Sequence, residues 1–296
     1  MTKAHTSDCT SHTHCAILHA YPYSASMLKF LSILLTAALA ATGATPNEQE
    51  RSPFYYNGSY DNENAYIAHA GGVYPFIYSN CKEAVEDALK RGFKFIELDL
   101  LPSDDGQLIA AHDRTSFGIL TATLFVGPRT LLAAEAGKLK VLNKFTVLTG
   151  KDIYRIMQEN PQMVLVTDKI NDYELLLKEI PLPERMIVEC FSIEDVQRAR
   201  AAGIKHVAYC ADTFEKLHAA IQHKLNMITV CLDDIHDNDL FLAYLRRLHR
   251  EGVCIMAYGC ITTDIPGYIQ FHLGRTCSKF YINCADSFRG GKPIKH

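Results

Sequence analysis

Two histidines and two carboxylates follow one another along the chain in an arrangement suited to acid–base chemistry. Each lies within or directly after a short apolar run: His69, Glu97, Asp99 and His112. Two imidazoles can exchange protons with a substrate and its leaving group. Two neighbouring carboxylates can bind a hard divalent cation. Together these groups suit the hydrolysis of a phosphodiester.

Glu97 and Asp99 are one residue apart in a run that is otherwise largely apolar. On a β-strand both side chains point to the same side, which we expect to be the interior of the fold. Two buried carboxylates repel each other and lose their hydration, so a cation should lie between them. The alternatives are a metal, with oxygen ligands favouring Mg²⁺ or Ca²⁺, and an ion pair with Lys169 or Arg114.

His69 and His112 have a simpler alternative, because a lone histidine often packs in a core and bonds to the backbone. The acidic pair between them favours a shared role in proton transfer. Four other histidines fall on helix-like segments and are expected to face solvent: His218, His223, His236 and His249.

Eight strand-like runs alternate with helix-like segments from residue 65 onward. The predicted strands are 66–69, 93–100, 163–169, 186–191, 206–210, 227–232, 253–258 and 279–284. The predicted helices are 80–91, 150–159, 171–179, 192–202, 212–223 and 236–251. This alternation favours an α/β fold, a (β/α)₈ TIM barrel, over an open α/β sheet. The polar groups would then meet at the C-terminal ends of the strands.

Two segments depart from this alternation. About a dozen residues follow the last predicted strand, which is too short for a full eighth helix, and segment 45–64 is a candidate to cover the gap. Residues 114–149 form a long insertion on the same end of the barrel as the acids. We expect this insertion to form a substrate pocket or a lid.

The N-terminal segment resembles an exported precursor. Met27 is followed by a lysine, an apolar run of about a dozen residues and small residues ending near Ala44. This order is typical of a signal peptide, so we expect residues 1–44 to be an upstream extension plus signal and residues 45–296 to form one domain. The rival interpretation of the histidines and cysteines before Met27 is a metal-binding tail. Eight cysteines follow the signal, and we expect between zero and two disulfides, because most of these cysteines lie in apolar strand-like runs.

The overall charge excludes one class of partner. The 296-residue chain has a formal charge of −3 and no long basic run, so nothing indicates nucleic-acid binding. The expected partner is a small-molecule phosphodiester or a lipid headgroup, and transient contact with a membrane surface stays open.

Five segments between residues 67 and 113 resemble the glycerophosphodiester phosphodiesterase family, which shares a barrel with phosphatidylinositol-specific phospholipase C and sphingomyelinase D. In order they are Ile67-Ala68-His69-Ala70-Gly71-Gly72, Ser79-Asn80-Cys81-Lys82-Glu83-Ala84, Gly92-Phe93-Lys94-Phe95-Ile96-Glu97-Leu98-Asp99, Asp104-Asp105-Gly106-Gln107-Leu108 and His112-Asp113. The resemblance implies His69 and His112 as general acid and base, Glu97 and Asp99 as metal ligands, and Lys169 as a phosphate-binding residue.

Two positions depart from the family pattern. Ala70 stands where the family usually has a phosphate-binding arginine, and Thr167 stands where it usually has a third acid. Asp168 is adjacent, but strand alternation predicts that it points away from Lys169. We therefore predict Glu189 as the replacement, either as a metal ligand or as a partner that holds Lys169. The alternative is that Glu189 faces the helices and pairs with Arg185 or Arg198.

The sequence thus predicts an exported, metal-dependent phosphodiesterase. Two other functions remain open: a phospholipase C-like or sphingomyelinase D-like lyase, and a non-catalytic barrel that binds phosphorylated ligands.

Overall fold

Eight parallel strands form the centre of the protein. The computed structural model describes residues 51–58, 63–72, 78–123, 130–232, 238–259 and 276–282, with the backbone of 288–289 and 292–293; the predicted signal segment and His236 lie outside these ranges. The barrel strands are β1 (Tyr66–Ala68), β2 (Phe95–Pro102), β6 (Val164–Asp168), β7 (Met186–Cys190), β8 (His206–Cys210), β9 (Met227–Cys231), β10 (Cys254–Tyr258) and β11 (Lys279–Ile282).

The first strand closes the barrel. β1 pairs in parallel with β11 on one side and with β2 on the other, through partners such as Tyr66 with Phe280 and Ile67 with Phe95. An open sheet would leave two unpaired edges, whereas each of these eight strands has a neighbour on both sides. The predicted TIM barrel is confirmed, and the open-sheet alternative is wrong.

Helices alternate with these strands as the periodicity predicts. They are α1 (Lys82–Lys90), α2 (Arg114–Leu120), α3 (Ala133–Ala136), α4 (Gly150–Glu159), α5 (Tyr173–Glu179), α6 (Ile193–Ala202), α7 (Phe214–Gln222) and α8 (Asp239–Arg250). Ser192 caps α6 by accepting the Asp195 N–H, and Gly203 ends that helix in the left-handed conformation at φ 104°. Within the described ranges, no helix is long and apolar enough to cross a membrane.

Alternate side chains of the strands fill the barrel. The interior apolar cluster comes from positions of one parity on successive strands: Ile67, Phe95, Val164, Val166, Ile187, Ala208, Met227, Cys254, Met256 and Tyr281. Glu97 and Asp99 share the parity of Phe95 on β2, and both are 3% exposed. The prediction that both carboxylates point to the interior is therefore confirmed.

The described N-terminal residues cover the opposite end of the barrel from the acids. The Phe54 ring packs edge-on against Phe95, and Tyr55 donates a hydrogen bond to the carbonyl of His249. His249 is 2% exposed, so the expectation that it faces solvent is wrong: its ring packs against Tyr55. Beyond β11 the described residues form a short antiparallel hairpin, β12 (Phe288–Arg289) and β13 (Lys292–Pro293).

The insertion packs on the end of the barrel that carries the acids. Strand β3 (Leu108–Ala110) pairs antiparallel with the end of β2, and a second hairpin joins β4 (Lys140–Val141) to β5 (Phe145–Thr146). A separate apolar core holds these elements against α1: Cys81, Ala84, Ile109, Ala111, Phe117, Ala133, Ala136, Val141 and Val147.

Candidate active site

Three carboxylates converge inside the barrel near the C-terminal ends of two adjacent strands. Glu97 and Asp99 come from β2, and Asp168 comes from β6, where it lies in register with Asp99. Oxygen atoms of the three side chains all lie within 4.8 Å of one another. This is the end of a parallel barrel where active sites assemble.

Asp168 and Lys169 lie together because β6 is followed by a left-handed residue. The prediction that Asp168 points away from Lys169 is wrong, since Lys169 Nζ lies 2.9 Å from Asp168 Oδ2. Asp168 has the inward parity, and Lys169 leaves strand geometry at φ 59°, so alternation no longer applies to it. Lys169 therefore lies beside the acids, as predicted. It does so because the backbone turns at Lys169 instead of continuing the strand.

Burial and mutual repulsion dominate the electrostatics of the acids. Burial raises the pKa of Glu97 well above its usual range, and the charges of Asp99 and Asp168 raise it further. Burial and Asp99 raise the pKa of Asp168 to about 6 although Lys169 opposes this shift. Burial lowers the pKa of Lys169, but attraction to Asp168 and the other acids outweighs burial and raises it overall. The site carries more negative charge than Lys169 compensates.

A divalent cation fits this donor set. Asp168 Oδ1 is buried and accepts no hydrogen bond within the described part of the chain. Among the described residues this cluster consists of carboxylates alone, and oxygen donors of this kind suit Mg²⁺ or Ca²⁺. Arg114 pairs with Asp104 instead, so the alternative in which Arg114 compensates the acids is wrong.

His69 is positioned by a tight turn after β1. The turn residue Ala70 has φ 51° and donates its N–H to Glu97 Oε2 at 2.6 Å. His69 Nε2 lies 3.8 Å from the same oxygen, so the imidazole borders the acids. A Cβ on Gly72 would lie 2.8 Å from the Ala84 side chain, which explains why glycine follows the turn where it packs against α1.

His112 is oriented by the next residue. His112 Nδ1 lies 2.8 Å from Asp113 Oδ2, and Asp113 also caps α2 by accepting the Ser116 N–H. Hydrogen bonds from Ser116 and His112 hold the pKa of Asp113 far below its usual range. An ionised carboxylate can only accept, so His112 Nδ1 carries a proton and Nε2 is the atom left for proton exchange.

Glu189 points into the barrel, as predicted. Tyr281 donates its hydroxyl to Glu189, and burial together with Asp168 raises the pKa of Glu189 to about 8. The alternative pairings are wrong, because Arg185 donates to main-chain carbonyls and Arg198 pairs with Asp195. Direct metal binding by Glu189 stays a prediction.

Asn80 is a site residue that sequence reasoning missed. Its amide donates to Asp99 Oδ2 at 2.8 Å and accepts from the Asp99 N–H at 3.1 Å. The signal was its position in the second family-like segment, directly before α1, where an asparagine is ordinarily interpreted as a helix cap. Here the cap position belongs to Cys81, and Asn80 instead fixes the orientation of Asp99.

Comparisons with known proteins identify the fold. No protein-family model and no curated protein matches the chain. A glycerophosphoryl diester phosphodiesterase from Parabacteroides distasonis superposes with a TM-score of 0.59 at 13% identity, covering 83% of this chain and 94% of that chain. A glycerophosphodiester phosphodiesterase from Agrobacterium tumefaciens gives 0.55 at 19% identity, covering 74% and 95%.

A third similar structure carries a ligand. It is an Oleispira antarctica phosphodiesterase in complex with the product sn-glycerol-3-phosphate, with a TM-score of 0.57 at 13% identity, covering 73% of this chain and 91% of that chain. At these identities the likeness establishes a shared barrel fold, and the chemistry of this chain has to be argued from its own residues.

Proposed function

We propose that this protein is a metal-dependent phosphodiesterase that hydrolyses glycerophosphodiesters or related small phosphodiesters. The observation that supports this most is the placement of Glu97, Asp99 and Asp168 within 4.8 Å of one another, with His69 bordering them. The similar structures named as glycerophosphodiester phosphodiesterases share the barrel.

The two histidines carry the proton transfers of the proposed reaction. One takes a proton from the attacking water as a new P–O bond forms, and the other donates a proton to the alkoxide whose P–O bond breaks. Asp113 holds His112 with Nε2 available for this exchange. Proton balance requires one histidine to be neutral and the other protonated when the substrate binds.

The acids and Lys169 have separate proposed roles. Glu97, Asp99 and Asp168 would hold a divalent cation, which when bound supplies positive charge for the phosphoryl oxygens. Lys169 would bind the phosphate through its ammonium group. Position 70 is an alanine, which has no charged group to replace the arginine usual in the family, so Lys169 is the main phosphate-binding cation in this proposal. Glu189 is proposed as a further ligand or as a partner of Lys169.

A direct assay tests the proposed function. We expect purified protein to release sn-glycerol-3-phosphate and choline from glycerophosphocholine in the presence of Mg²⁺ or Ca²⁺, and to lose this activity when a chelator removes the ion. Activity should return when the ion is added back. Hydrolysis that resists exhaustive chelation would contradict metal dependence, and no hydrolysis of any soluble or micellar phosphodiester would leave a binding barrel as the better interpretation.

We also propose that the protein is exported. The support is the order of the lysine, apolar and small residues from Met27 to Ala44. Mass spectrometry of protein isolated from its native host should find a mature N-terminus near residue 45. An intact N-terminus on protein from the cytosolic fraction would contradict the proposal.

A further inference from the structure

A cavity of about 370 Å³ lies between α2 of the insertion and the start of α1. We call it the insertion pocket, and its walls include His112, Tyr78, Asn80, Phe117, Ile119 and Leu120. Its volume is within the range of about 300–1,000 Å³ that is usual for small-molecule sites.

One end of the insertion pocket reaches the candidate active site. His112 is part of its wall, and so is Asn80, whose amide donates to Asp99. Tyr78 also lines the pocket, and its ring packs edge-on against His69 at 4.8 Å between centroids. The pocket therefore borders His112 directly and is separated from His69 by the ring of Tyr78.

The rest of the wall is apolar and partly open to solvent. Ile119 is 60% exposed and Tyr78 is 47% exposed, so both leave apolar surface open to solvent beside the cavity. Phe117 is buried behind them in the core of the insertion. Exposed apolar side chains around a concave site indicate that an apolar group binds there.

Three polar side chains of the pocket, those of Ser79, Asn80 and Ser116, already have protein partners. Asn80 is hydrogen-bonded to Asp99 through both its amide and its carbonyl, and Ser116 donates to Asp113. Ser79 donates to the sulfur of Cys81. Among the described residues that line the pocket there is no aspartate, glutamate, lysine or arginine. A glycerol or choline group would find few partners here, whereas a hydrocarbon chain needs none.

We propose that the insertion pocket binds the hydrocarbon chain of a single-chain phosphodiester, in which one ester oxygen carries an alkyl or acyl-bearing group. The inference rests on the proposed function, because it places the phosphate at the acids and the chain along α2 beside His112. The preferred substrates are then lysophospholipid-like diesters rather than unsubstituted glycerophosphodiesters.

Binding of alkylphosphocholines of increasing length tests this proposal without requiring turnover. Isothermal titration calorimetry with butyl-, octyl- and decylphosphocholine, each below its critical micelle concentration and with Mg²⁺ present, should show Kd falling with chain length. Each methylene that enters the pocket should tighten binding by about fourfold until the pocket is full. The same Kd for all three chains would overturn the proposal.

A pair of matched variants locates the effect. Ile119→Asp should weaken decylphosphocholine binding by at least about tenfold and leave butylphosphocholine binding nearly unchanged. Leu142→Asp is the control, because Leu142 is 58% exposed in the same insertion but does not line the pocket. Equal losses in the two variants would refute the assignment. If Ile119→Asp fails to fold, Ile119→Ser and the chain-length series on the unmodified protein give the same decision.

The outcomes separate this inference from the proposed function. Binding that appears only above the critical micelle concentration would assign the exposed apolar residues to contact with aggregated lipid and would reject the pocket. If the protein hydrolyses glycerophosphocholine but binds butyl-, octyl- and decylphosphocholine with the same Kd, the pocket is rejected and the proposed function is supported. Chain-dependent binding by a protein that hydrolyses no diester would support the pocket and reject the function.

Discussion

His69→Ala and His112→Ala should each lower kcat on the hydrolysed diester by about 10²–10⁴-fold, the usual contribution of a positioned proton-transfer group. Each imidazole lies at the end of the barrel that carries the acids and is partly exposed, with side-chain exposures of 24% and 52%. Truncation therefore removes little packing, and we expect the loss to appear in kcat while the melting temperature changes by only a few degrees.

The control for this prediction is His218→Ala. His218 is exposed on α7, within the same barrel, and should tolerate truncation without effect on rate. Asp113→Asn should also lower kcat, because an amide can donate to Nδ1 and so permit the other tautomer of His112. A His69 or His112 variant that keeps more than about a tenth of the rate would exclude that residue from the proton transfers.

Asp168→Asn should weaken divalent-ion binding by about 100-fold, since affinity depends on the number of charged oxygen ligands. Calorimetric titration with Mg²⁺ and Ca²⁺ measures this directly. Asp239→Asn, at an exposed position in the first turn of α8, is the isosteric control. Glu189→Gln tests the alternative third ligand: a large loss in Glu189→Gln with none in Asp168→Asn would reverse the assignment.

Thermal unfolding against pH gives an independent measurement of the same site. The folded-state pKa of Asp168 is raised from 3.8 to about 6, so between these values the folded state binds more protons than the unfolded state. The stability of the metal-free protein should therefore fall as pH rises from about 4 through 6. Asp168→Asn should flatten this dependence. Added Mg²⁺ or Ca²⁺ should raise the melting temperature more at pH 8 than at pH 5, because the acids are then ionised.

The barrel was predictable because its signals are local. A parallel strand buried on both faces is a short apolar run, and an amphipathic helix has its own period, so the order of elements follows from the sequence. Parity on β2 likewise placed Glu97 and Asp99 inside, because the residues from Phe95 onward keep strand geometry. The caps at Ser192 and Gly203 are equally local.

The predictions that failed depended on departures from regular geometry or on distant packing. Alternation misplaced Asp168 relative to Lys169 because Lys169 adopts a left-handed conformation, which is uncommon for a lysine. His249 was expected to face solvent because it lies on a helix-like segment, yet the segment around Tyr55, 194 residues away in the chain, covers it. Asn80 bonds to a strand that follows it by 19 residues, which a local helix-cap interpretation could not anticipate.

The sequence by itself determined the fold class, the order of the elements and the residue types able to do the chemistry, since each depends on neighbours within a few positions of the chain. Only the tertiary structure decided that Asp168 joins Glu97 and Asp99, that Asp113 orients His112 and caps α2, and that an apolar cavity lies beside His112. Closing eight strands into a barrel brings these groups together. The resulting distances, burial and pKa shifts depend on packing between residues far apart in the chain.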